Sequence, residues 1–171
     1  MAFKKDFIWG AATASYQIEG GWNEGGKGLS IWDVYSHQPG HVKDNHTGDV
    51  ACDHYHRYKE DFKLMKELGI KHYRFSVSWP RLFPNGTGEL NQEGAKFYSD
   101  LIDAMLENGV EPYMTLFHWD YPYELFKKGG WLNEESVKWF ADYAAAVSRL
   151  YSDRCKHFIT FNENDVALRA G

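Results

Sequence analysis

Cysteine is scarce. The chain of 171 residues has two, Cys52 and Cys155, far apart and in no C-x-x-C or metal-ligand spacing. Both read as reduced, structural side chains of an intracellular protein, and no metal site or cofactor is predicted. The His54–His56 pair, at i and i+2 of a helix start, does not share a helical face and offers no such site either. No apolar run approaches the roughly 20 residues of a membrane-spanning helix, so no membrane partner is predicted. Met1 to Asp6 lead straight into fold-like sequence without the apolar stretch of a secretory leader, which fits a cytoplasmic location. Lys/Arg runs are absent and the net charge is -5, which argues against nucleic acid as a partner. Gly20 to Lys27 is glycine-rich but lacks the G-x-x-x-x-G-K-[ST] form of a phosphate loop. Linkers, low-complexity tracts and solenoid-type repeats are missing as well.

Aromatics, by contrast, are abundant. They make up 17% of the chain, with 7 Trp, 11 Tyr and 11 Phe. Several fall at strand ends and in loops. Aromatic faces in a cleft suit flat amphipathic ligands such as sugars; an aromatic core would use the same residues, and composition does not separate the two.

The apolar pattern alternates between strand and helix. Phe7 to Ala12 reads as a first strand, and residues 29–52 as a long irregular stretch of the kind that often serves function. Asp53 is placed to cap a helix through Leu68, with Tyr55, Tyr58, Phe62, Met65 and Leu68 on one face and Gly69 as its stop. Ile70 to Trp79 reads as the second strand. Asn91 opens a second long helix with Tyr98, Leu101, Ile102, Met105 and Leu106 inward, ended by Gly109. Val110 to Phe117 reads as the third strand. Asn133 begins a third long helix to about Ser152, carrying Val137, Phe140, Tyr143, Ala144 and Val147. His157 to Phe161, β-branched and aromatic, reads as a buried fourth strand. This order implies an α/β fold with parallel pairing, right-handed crossovers and a sheet covered on both faces.

Polar residues recur where these strands end: Gln17, Arg74 within the second strand, His118 beside Trp119, then Asn162 and Glu163. In a parallel α/β sheet the strand C-termini share one side, so residues distant in sequence converge there. A carboxylate delivered into a half-buried mouth is a candidate acid or base, although a Glu following a strand is also an ordinary surface residue. His118 equally fits a satisfied structural histidine. Arg74 in an apolar strand needs a carboxylate partner, and none is evident in the sequence.

Seven segments carry a resemblance. They are Phe7-Ile-Trp-Gly-Ala-Ala-Thr-Ala-Ser-Tyr-Gln-Ile-Glu-Gly20, Ser30-Ile-Trp-Asp33, Gly48-Asp-Val-Ala-Cys-Asp-His-Tyr-His-Arg-Tyr58, Tyr73-Arg-Phe-Ser76, Ser78-Trp-Pro-Arg81, Thr115-Leu-Phe-His-Trp-Asp120 and Thr160-Phe-Asn-Glu163. In this order they resemble the N-terminal part of glycoside hydrolase family 1, the retaining β-glucosidases of bacterial type. The resemblance implies a (β/α)8 TIM barrel of which strands one to four are present, as a single partial domain over residues 1–171. It implies Glu163 as the catalytic acid/base, and Gln17, His118 and Asn162 as groups that bind the hydroxyls of a β-glucoside substrate. Arg74 would lie against the nucleophile and keep it ionised. Trp119 and Trp32 would line the site or pack beside it.

The family's second Glu, in a Thr-Glu-Asn-Gly context on strand seven, has no counterpart in this sequence. Retaining cleavage needs two carboxyls about 5–5.5 Å apart, and a complete barrel takes about 250 residues. Asn164-Asp165 follows Glu163 where the family has Pro, and Val166 to Gly171 departs from the family pattern. Without the Pro, the backbone after Glu163 is less constrained. The prediction is a fragment inactive alone, with strands one and four as open edges and one apolar sheet face uncovered. Such a piece would meet a complementary C-terminal half, or form a homo-oligomer as a non-catalytic scaffold.

Overall fold

A computed structural model describes residues 3–166. In chain order the elements are β1 (Ala11–Ala12), α1 (Ser15–Ile18), α2 (Ile31–Ser36), a 3-10 turn (Lys43–Asn45), α3 (His54–Glu67), β2 (His72–Ser76), α4 (Trp79–Leu82), α5 (Gln92–Glu107), β3 (Glu111–Phe117), α6 (Tyr123–Phe126), a second 3-10 turn (Gly130–Leu132), α7 (Ser136–Tyr151) and β4 (His157–Phe161). The four strands form one sheet in sequence order, β1-β2-β3-β4, and every pair is parallel. That order places every strand exit on the same side.

The long helices follow their apolar stripes. Phe62 of α3, Tyr98, Leu101, Ile102 and Met105 of α5, and Tyr143 and Val147 of α7 are buried together with Tyr73, Phe75, Met114 and Leu116 of the sheet. Trp79 lies flat on Tyr143, ring centroids 4.5 Å apart. The stripes are shorter than their periodicity predicts: Leu68 and Leu106, at the ends of α3 and α5, and Val137, at the start of α7, are exposed. Gly69 and Gly109 adopt φ of +74° and +72° just past α3 and α5, the left-handed stop that glycine takes without steric cost.

Several boundaries differ from the sequence reading. The first strand shrinks to two residues; Phe7, Ile8 and Trp9 peel away exposed, with Phe3, Phe7 and Trp9 rings packed on one another. The second strand stops at Ser76, and Trp79 opens a helical turn instead, with Pro80 inside its first turn where no N–H is missed. The third long helix begins at Ser136 rather than Asn133. Asp53 stands at the start of α3 but makes no cap; its φ is +56° and its carboxylate turns to His56. The 29–52 stretch is not wholly irregular, because Ser30 and Asp33 form a reciprocal capping box that starts α2.

The fourth strand is not buried: Phe158 is 37% exposed, as befits an edge with no further neighbour. Nor is the sheet covered on both faces. Residues of β2 and β3 alternate, with Tyr73, Phe75, Met114 and Leu116 under the helices and His72, Arg74, Glu111 and Tyr113 half-buried on the other face. His157 of β4 joins that face, its ring stacked 4.2 Å from Tyr113. The uncovered face is therefore polar and aromatic, not apolar as the sequence suggests.

Candidate active site

Arg74 crosses the sheet surface toward the strand exits. Its Nε donates to Thr115 Oγ1 and its Nη2 to Asn162 Oδ1, both at 2.8 Å. The guanidinium thus ties β2 to β3 and to the residue following β4. Both acceptors are neutral, and no carboxylate pairs with Arg74 among the described residues. The carboxylate partner that an arginine on an otherwise apolar strand calls for is not supplied by this part of the chain.

Asn162 is held from three sides. Its side chain takes the Arg74 bond, its N–H donates to Phe117 O at 3.0 Å, and its carbonyl accepts from Trp119 Nε1 at 2.9 Å. Two residues around it have left-handed backbone, Trp119 at φ +75° and Glu163 at +47°. For residues with a Cβ this conformation costs about 1–2 kcal/mol, so surrounding bonds must hold it, and strain of this kind gathers at functional sites.

Glu163 itself is exposed, and its side chain makes no hydrogen bond or ion pair among the described residues; its carbonyl accepts from Val166 N at 3.0 Å. The half-buried mouth predicted for its carboxylate is not formed by the described residues. Residues 167–171, where the sequence reading expected a departure from the family pattern, lie outside the described residues.

His118 is half-buried, and its Nδ1 is enclosed without a hydrogen-bond partner among the described residues. Burial, and secondly the Arg74 charge, push its imidazole down to about 4. The ring is therefore neutral at physiological pH. Gln17, on α1, is exposed on the same side of the sheet, and its side chain bonds to none of the other candidates among the described residues. The structure thus joins Arg74, Trp119 and Asn162 directly, sets His118 within reach of the Arg74 charge, and leaves Gln17 and Glu163 at the rim. Trp32 packs on Tyr16 and Tyr35, with ring centroids 6.0 and 5.8 Å away.

Sequence reasoning missed the buried groups beneath this rim. Asp120 is 2% exposed and accepts from Ser15 Oγ at 2.7 Å. Burial raises its carboxyl from 3.8 to about 6, with Glu19 adding to the rise and Ser15, Ser78 and Lys27 opposing it. Ser78 Oγ is near enough to oppose the shift yet is not aligned for a full hydrogen bond; it and Asp120 Oδ1 both lack one among the described residues. Arg81 and Glu19 form a buried ion pair at 3.1 Å. Asp120, Ser15, Ser78, Arg81 and Glu19 all lie inside family-like segments, but only tertiary contacts give them partners.

The two shifted groups pull stability in opposite directions with pH. A carboxyl that holds its proton more tightly when folded favours the fold at low pH, so Asp120 costs about 3 kcal/mol as pH rises from about 4 through 6. An imidazole that binds its proton less well when folded loses stability as pH falls from 6.5 toward 4. Asp120→Asn is expected to remove the first slope and His118→Phe the second, read as urea midpoints between pH 4 and 7. An unaltered pH dependence in both variants would contradict these assignments.

No helix among the described residues is long and apolar enough to cross a membrane. No group of three or more His, Cys, Asp or Glu among them is placed to hold a metal ion.

Comparison with known proteins bears on what this geometry serves. β-Glucosidase A of Acetivibrio thermocellus is 56% identical over 171 residues, covering 100% of this chain and 38% of that protein. β-Glucosidase A of Thermotoga maritima is 53% identical over 169 residues, 99% of this chain and 38% of its own. The structure of the Thermotoga maritima β-glucosidase in complex with noeuromycin superposes with a TM-score of 0.96 at 52% identity, over 99% of this chain and 39% of that one. The chain thus spans under two fifths of the length of these relatives. Its four parallel strands are half of a (β/α)8 barrel, as the sequence predicts. The family model for glycosyl hydrolase family 1 matches residues 1–171; the chain belongs to that family.

Proposed function

We propose that this chain is the proton-donating half of a retaining β-glucosidase. The observation that carries the reading is the Arg74–Asn162–Trp119 junction, which fixes the residue before Glu163 and leaves a guanidinium facing the site with neutral partners only. In this reading Glu163 protonates the glycosidic oxygen as the bond to the anomeric carbon breaks, then returns as base to activate water. Gln17, the neutral His118 and Asn162 hold sugar hydroxyls, and Trp119 braces the Asn162 carbonyl. The attacking carboxylate comes from the later strands, and Arg74 supplies the charge that keeps it ionised. The same strands would enclose the Glu163 carboxyl, which is open here. β-Glucosides are the substrate class, in a single partial domain, and two free cysteines suit a reducing cytoplasmic setting.

A chimera tests this: the matching stretch of Thermotoga maritima β-glucosidase A replaced by this chain. The chimera is expected to hydrolyse an aryl β-glucoside, and the isolated chain to be at least about a thousandfold slower, because one carboxyl of two is missing. A folded chimera with no turnover would overturn the reading.

A second reading rests on the open edges at β1 and β4. Unpaired parallel edges recruit partners, so the chain alone would act as a non-catalytic scaffold, self-associating or binding its complementary half. Molar mass in solution separates a monomer from either assembly.

A further inference from the structure

The two rim groups assigned to sugar hydroxyls, Gln17 and His118, stand past different strand exits and share no hydrogen bond. Something beneath them must set their spacing. Asp120 lies two residues past His118, and Ser15 two residues before Gln17. Asp120 Oδ2 accepts from Ser15 Oγ at 2.7 Å. Ser15 N donates to Ser76 Oγ at 2.7 Å, and Ser76 Oγ donates back to Ser15 Oγ at 3.1 Å. All three side chains are at most 3% exposed. This buried chain of bonds spans the exits of β1, β2 and β3 directly below the rim.

Glu19, bonded to Arg81 and Tyr98, and Tyr16, bonded to Ser36, hold the flanks of the α1 segment, but neither reaches across to the third strand exit as Ser15 does. α1 is a single turn of four residues whose N-terminus has no side-chain cap. Ser15, its first residue, is the only one of the four that is buried. On the other side, the segment from Phe117 to Asp120 passes through Trp119 in left-handed backbone, so the turn carrying His118 relaxes unless it is tied at both ends. Trp119 Nε1 ties it to Asn162, and Asp120 ties it to Ser15.

We propose that Asp120, acting through Ser15, is a positioning residue that sets Gln17 and His118 in register for one sugar ring. The inference rests on the β-glucosidase reading for what the two rim residues hold. Asp120 and Ser15 do not touch the sugar themselves. What the design needs at position 120 is a hydrogen-bond acceptor of that reach rather than a negative charge. Asn supplies the same acceptor and Ala none.

In the chimera, Asp120→Ala and Ser15→Ala are each expected to lower kcat/KM for a β-glucoside about 30-fold, and the double variant to be no worse than either, as for two halves of one bond. Asp120→Asn is expected to return activity to within about threefold. A set of monodeoxy-glucosides gives the readout that a purely structural role would not move. Asp120→Ala loses discrimination only at the hydroxyls where Gln17→Ala and His118→Ala also lose it. Uniform loss across the deoxy set, additive single variants, or no loss at all would overturn the proposal. On the isolated chain, Asp120→Ala is expected to shift the Gln17 side-chain amide resonance and Ser15→Ala the His118 ring resonances. Unmoved resonances would sink the coupling even if the chimera were inactive, an outcome that would count against the β-glucosidase reading instead.

Discussion

Glu163→Gln in the completed barrel is expected to lower turnover of an alkyl β-glucoside about 10²- to 10⁴-fold, the range that positioned proton transfer contributes. Gln keeps the size and the backbone preferences of Glu but has no proton to give at neutral pH. The loss depends on the leaving group. An alkoxide must be protonated as it departs, whereas a nitrophenolate leaves with little help, so the first step survives better on a nitrophenyl glucoside. The second step, attack by water on the glycosyl-enzyme, needs the same residue as base for both substrates. Stability is expected to change by less than about 0.5 kcal/mol, because the side chain is exposed and makes no hydrogen bond or ion pair among the described residues. Kinetics on paired alkyl and nitrophenyl substrates, with a thermal melt of each protein, provide the check. Unchanged alkyl-glucoside turnover would assign the proton to another group; a large drop in melting temperature would make Glu163 a structural residue.

What periodicity encodes, the sequence discloses. α5 and α7 run for four turns each against the sheet, so their stripes were legible from spacing, and the stop of α5 from Gly109. β2 and β3 were legible because each has neighbours on both sides, so their buried faces read as apolar runs. β1 was not, since its Phe7-Ile8-Trp9 run is as apolar as a strand yet has no outer partner to pair with. One-turn helices such as α1 and α4 carry too few residues for a period to appear. The site divides in the same way. Rim residues were named from their position after strands and from the family-like segments around them. Arg74 was read as lacking a carboxylate partner, but its bonds to Thr115 and Asn162 were invisible, because they join three strands. Asp120 and Arg81 were present in quoted segments without a role, since their partners, Ser15 and Glu19, lie 105 and 62 positions away. Exposure of Glu163 was misjudged for a different reason: a place just past a strand says nothing of what covers it, and β4 is an edge with no further neighbour among the described residues.

The largest stability effect is expected at Arg81. Arg81→Met should destabilise the chain by about 3–5 kcal/mol, the cost of leaving the other half of a buried ion pair unmatched. The guanidinium is fully buried, its Nε meets Glu19 Oε2 at 3.1 Å, and its Nη2 caps the carbonyls of Gly20 and Gly21 at 3.2 and 3.3 Å. Its face lies 4.3 Å from the Tyr55 ring centre. Burial pulls the arginine down, but Glu19, helped by Tyr98 and Tyr55, more than offsets this and raises it, while burial pushes the Tyr98 hydroxyl well up and keeps it a donor to Glu19. Met fills the space but leaves a carboxylate with only Tyr98 to answer it. Adding Glu19→Leu removes that orphaned charge, so the double variant is expected to be more stable than Arg81→Met alone. Recovery stays incomplete, because the Gly20 and Gly21 carbonyls lose their donor in both. Gly20 has φ +66° and its backbone sits against Val50, where a Cβ would meet Val50 O at 2.2 Å, so this turn has no room to adjust. Urea unfolding of the two single variants and the double reads the coupling directly. A single Arg81→Met variant within 1 kcal/mol of the parent would show that packing, not charge, holds Arg81 in place.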